Sequence, residues 1–60
     1  MFIKLTKKSN YQPIYVNINC ISSVALDGDG SVKLWLTGDS VPFVLKETLN
    51  EVLNKIGVKP

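Results

Sequence analysis

Val32, Leu34 and Leu36 alternate with Lys33, Trp35 and Thr37, and Val41, Phe43 and Leu45 alternate in turn after Gly38-Asp39. Two short alternating runs flanking a glycine-containing pair predict a tight hairpin. With Gly38-Asp39 as a two-residue loop, Leu36 faces Val41, Leu34 faces Phe43 and Val32 faces Leu45. Every apolar residue of one strand then meets one on the other. The period next changes. Leu49, Val52, Leu53 and Ile56 fall at i, i+3, i+4 and i+7, the stripe of an amphipathic helix. Thr48 with Glu51 three residues on forms a capping box, Gly57 is a natural stop, and Lys55 suits the negative end of the helix dipole. Asn50, Glu51, Asn54 and Lys55 take the water side. A helix this short is unstable alone, so it must dock on a sheet.

Earlier in the chain, Phe2–Thr6 reads as a strand with Ile3 and Leu5 on one side and Phe2, Lys4 and Thr6 on the other. Lys7-Lys8-Ser9-Asn10 is a polar turn. A second strand covers about residues 12–16, with Ile14 and Val16 opposed to Tyr15. Pro13 lacks an N–H and places that strand at a sheet edge. Asn17-Ile18-Asn19 favours a side-chain-to-backbone turn. In residues 20–26, Ile21 has one parity and Val24 and Leu26 the other, and a bulge near Ser22-Ser23 reconciles them. Asp27-Gly28-Asp29-Gly30 is a loop. The expected fold is α+β: a four- to five-stranded, mostly antiparallel meander, with a curled half-barrel as a variant, and one C-terminal helix packed on one face. Residues 1–60 form one small domain.

Composition narrows the function. A chain this size buries only about 60% of its unfolded surface and is marginal alone. With one cysteine and no histidine, neither an internal disulfide nor an ordinary zinc site is available. Self-association is the remaining way to reinforce so small a core. The net charge is +2, and all seven bases are lysines. That balance is too mild to dictate a polyanionic partner, and the bidentate fork of arginine is missing. The apolar stretch at the N-terminus is too short for a secretory h-region or a membrane span, so a cytoplasmic location and no membrane association are expected.

Candidate chemistry is sparse. Asp27, Asp29 and Ser31 stand at calcium-loop positions 1, 3 and 5, but Val32 replaces the required glycine and Gly38 the bidentate glutamate. No metal site is therefore expected. Cys20 has no histidine to activate it and reads as a small, half-buried apolar residue. Asp27, Asp29, Asp39, Glu47 and Glu51 lie in turns or at the helix start, where solubility and capping account for them. No catalytic residue, cofactor or enzymatic activity is expected.

Trp35 stands on the face opposite Leu34 and Leu36, beside Val44 and Pro42. With Tyr15 and Phe2 it makes a candidate apolar patch of the kind that marks a contact site. Burial inside a curled sheet is the competing reading. Aromatics near Lys4, Lys7, Lys8 and Lys33 also suit stacking and steering of single-stranded nucleic acid.

The segments Ile3-Lys4-Leu5-Thr6, Ile14-Tyr15-Val16-Asn17 and residues 44–53 (VLKETLNEVL) resemble the small flagellar FlbD-type proteins. The shared features are a Lys-Leu-Thr start and a similar step into a terminal helix. The resemblance implies a part in motility and no site residues. Residues 32–53 are also similar to part of the LytTR-type DNA-binding domain, which continues into a basic, base-reading segment. Lys59-Pro60 stands where that segment would begin, so DNA binding by that route is not expected. The resulting expectation is a non-enzymatic interaction or assembly module, associating with itself or a protein partner through an exposed sheet face or edge. The alternative is a small nucleic-acid-binding regulator of phage or mobile-element origin.

Overall fold

The computed structural model describes residues 1–58. Lys59 and Pro60, on which the LytTR comparison turns, lie outside the described residues. Strands β1 (Phe2–Thr6), β2 (Pro13–Asn17), β3 (Ile21–Leu26), β4 (Val32–Leu36) and β5 (Phe43–Leu45) precede helix α1 (Leu49–Ile56). A short 3₁₀ turn, Ile18–Cys20, links β2 to β3. The class is α+β, as the pattern predicts. The strands divide into two antiparallel sheets, β1-β2 and β3-β4-β5.

Parity explains the core. Ile3, Leu5 and Val16 come from the first sheet, Val32, Leu34 and Leu45 from the second, and Val52 from the helix, and all seven are buried. The water-facing residues Asn50, Glu51, Asn54 and Lys55 are all exposed. Of the helical stripe, only Val52 is fully enclosed, while Leu49, Leu53 and Ile56 are half-buried.

The β4–β5 register is the expected one, with Val32 opposite Leu45 and Leu34 opposite Phe43. The two-residue loop is not. β4 ends at Leu36 and β5 begins at Phe43, Gly38 has φ 88°, and Val41 is exposed rather than paired with Leu36. The Leu36 carbonyl, which would take the Val41 N–H in that loop, instead accepts from the Asp39 N–H at 3.1 Å and closes a turn, and the ladder resumes only at Phe43. Leu36 instead pairs with Ile21 on the other side.

The bulge expected in β3 is present: Ile21 pairs with Leu36, yet Ser23 pairs with Trp35, leaving Ser22 as the extra residue. Val24 is half-buried against the core, but Leu26 at the strand end is exposed. It lines an open groove between the end of β3 and the helix start, with Gly30, Val32, Thr48, Leu49 and Asn50. Cys20, expected to be half-buried, is exposed because it belongs to the 3₁₀ turn and not to β3. That turn is fixed by Asn17 Oδ1, which accepts from the Asn19 N–H at 3.0 Å.

Both halves of the capping box are made. Thr48 Oγ1 accepts from the Glu51 N–H, and Glu51 Oε1 accepts from the Thr48 N–H. Hydrogen bonding to the Thr48 backbone, and next to its side chain, holds the Glu51 carboxyl below its usual range. A depressed carboxyl pKa stabilises the fold above the unfolded value, about 4.3, and that contribution disappears as pH falls through the lower folded value. Glu51→Gln should therefore lose melting temperature less steeply than the native chain across this acid window. Identical slopes in thermal melts followed by circular dichroism would refute the linkage.

Candidate interaction surface

The outer face of the three-stranded sheet carries Trp35 and Val44. Both are half-buried and stand apart from the core cluster. Val44 pairs with Lys33, and Trp35 pairs with Ser23. Pro42 is half-buried just before β5, one register step from the Phe43–Leu34 pair. The Trp35 carbonyl accepts from Ser22 Oγ at 3.3 Å, which ties the bulge to this strand.

Phe2 and Tyr15 share a different surface, the outer face of β1-β2. There Lys4 pairs with Tyr15, and Phe2 pairs with Asn17. Both aromatics are 66% exposed. The five patch residues thus form two groups, one on each sheet.

Of the four candidate lysines, Lys8 and Lys33 meet at the loop of residues 27–31, while Lys4 and Lys7 lie elsewhere. Lys4 is exposed beside Tyr15, and Lys7 sits half-buried in the bridge to Leu45. Lys8 Nζ donates to Ser31 Oγ at 3.3 Å. Lys33 forms an ion pair with Asp27, whose hydrogen bond raises the Lys33 pKa. Asp29 lies in the same loop, its carboxyl lowered chiefly by accepting from the Ser31 N–H at 2.9 Å. Both lysines at this loop therefore face carboxylates, Asp27 and Asp29.

Backbone hydrogen-bond accounting shows which strand edges are open. The second edge of β1 is occupied. Lys46 N–H donates to the Thr6 carbonyl at 2.8 Å, and Lys8 N–H to the Val44 carbonyl at 2.9 Å, joining the two sheets around the Lys7–Leu45 bridge. Glu47 Oε1 takes the Thr6 N–H at 2.9 Å, and Lys55 Nζ donates to the Lys4 carbonyl at 2.8 Å. Glu47 is thus a tie across the sheet junction, a role that its sequence position beside the helix did not disclose. Among the described residues, the strand edges without a paired neighbour are the outer edges of β2 and β3.

Both open edges fall within residues 9–26, a stretch with no charged side chain. Natural edges are commonly protected by lysine, proline or bulges. β3 has its bulge at Ser22, whereas β2 has only Pro13 at its first position. The charge gap was legible in the sequence. That it coincides with the open edges was not, because the coincidence depends on how the strands are ordered.

No family model, curated protein or solved structure matches the chain.

Proposed function

We propose that this chain is a non-enzymatic assembly module that associates with copies of itself. The observation that carries this reading is the uncharged stretch 9–26, which supplies both unpaired strand edges and the exposed Tyr15. An edge strand offers a row of unmatched donors and acceptors, and charge is the usual deterrent to pairing there. The small core gives a second reason. Seven enclosed apolar residues among the described residues are a modest foundation, and burying surface between subunits adds stability by mass action.

Sedimentation equilibrium over about 10 μM to 1 mM protein tests the reading, because dissociation constants in that range correspond to the weak end of specific association. The weight-average mass should rise toward at least twice that of the single chain. A strict monomer throughout would overturn it.

A further inference from the structure

We propose that the outer edge of β2 is the site of self-association, pairing antiparallel with the same edge of a second copy about a two-fold axis at Tyr15. The inference rests on the assembly reading and adds to it the strand, the register and the symmetry.

The register of the β1–β2 ladder shows which way the backbone points. Lys7 N–H donates to the Gln12 carbonyl at 2.9 Å, and Ile18 N–H to the Met1 carbonyl at 3.1 Å. Hydrogen-bonded and non-bonded pairs alternate along an antiparallel ladder. Both observed bonds therefore give one phase, in which Ile14 and Val16 direct their N–H and carbonyl groups at β1. Pro13, Tyr15 and Asn17 direct theirs to the open edge. An antiparallel mate centred on Tyr15 exchanges two Tyr15 N–H···O bonds. It also receives each Asn17 N–H on the facing Pro13 carbonyl. Pro13 then serves as the acceptor it is able to be, and its missing donor restricts which registers are complete.

Side chains agree with this register. Tyr15 meets its mate on the outer face, and Ile14 meets the mate's Val16 on the inner face. Ile14 is half-buried in the single chain, packed against the core with part of its surface open. A second Val16 would cover that part. Self-pairing places every residue near its own kind, so a single charge on β2 would meet its like across the axis. Pro13–Asn17 has none. The β3 edge is the weaker candidate because the Ser22 bulge interrupts its spacing of outward groups.

The chain is short enough for chemical synthesis with ligation at Cys20, which allows N-methylation of a single backbone amide. N-methyl-Tyr15 removes one outward donor and leaves the β1 ladder intact. Its dimer dissociation constant should rise at least tenfold by sedimentation equilibrium, while N-methyl-Val24 on the β3 edge should stay within twofold of the native chain. A second readout uses Tyr15→Cys with Cys20→Ser. Directly opposed, hydrogen-bonded residues lie about 5.5 Å apart at Cα, within disulfide reach, so mild oxidation should link two copies at residue 15. A native dimer left unchanged by N-methyl-Tyr15, or a failure to cross-link while the dimer persists, overturns the β2 edge but keeps the assembly reading. Loss of the dimer on Trp35→Ala alone would move the interface to the other sheet. A native chain that never dimerises removes both.

Discussion

Replacing Leu34 with alanine should leave the chain largely unfolded at room temperature. Leu34 is fully enclosed at the middle of β4, paired with Val24 on one side and Phe43 on the other. Truncating a buried leucine costs about 2–5 kcal/mol through lost transfer energy and the cavity that remains. At about 0.05–0.15 kcal/mol per residue, a domain of sixty has roughly 3–9 kcal/mol in total. The loss is therefore comparable with everything the native state has. Far-ultraviolet circular dichroism should show the strand signal collapse, and Trp35 emission should shift to longer wavelength. Cooperative melting near the native temperature would show that the two sheets do not share one core.

Placing a carboxylate at position 52 should be as damaging by a different route. Val52 has no solvent exposure and is the centre of the docked helical face, with Leu49 and Ile56 packed against the core on either side of it. An aspartate there would bury an unpaired charge, which costs about 3–5 kcal/mol when no partner is at hand. Leu53→Asp is the internal comparison. Leu53 belongs to the same stripe but is half-buried and lies outside the core cluster, so its replacement should cost distinctly less. Chemical denaturation of the two variants measures the difference. Equal losses would mean that Leu53 belongs to the docked face as fully as Val52 does.

Local patterns determined most of what proved legible. The β4–β5 register followed from matching apolar positions, because a one-residue slip would turn every one of them outward. The β3 bulge followed from a parity conflict between Ile21 and Val24 that no straight strand resolves. The helix followed from spacing and both caps. Errors arose where a distant partner decided the outcome. Alternation predicts Val41 in β5, yet the Leu36 carbonyl that would take its N–H closes a turn with Asp39 instead. Leu26 was placed on the core face, and its parity is right, but no element extends far enough to cover it. Trp35 follows Leu34 in β4 and is half-buried outside the core cluster, and nothing in its sequence neighbours announces that Phe2 and Tyr15 belong to another sheet. Glu47 and Lys55 were read as helix-end charges. Their contacts with Thr6 and Lys4 connect positions 41 and 51 residues apart, and no sequence window reports that.

Those two contacts also set the order of events during folding. The β1–β2 hairpin can close at once, but its inner side chains have no roof, and the far edge of β1 no partner, until β5 and the helix arrive from some forty to fifty residues away. Non-local closure of this kind slows folding. Until it happens the hairpin offers an adhesive inner face, which makes partly folded chains, more than finished ones, the population at risk of sticking to one another.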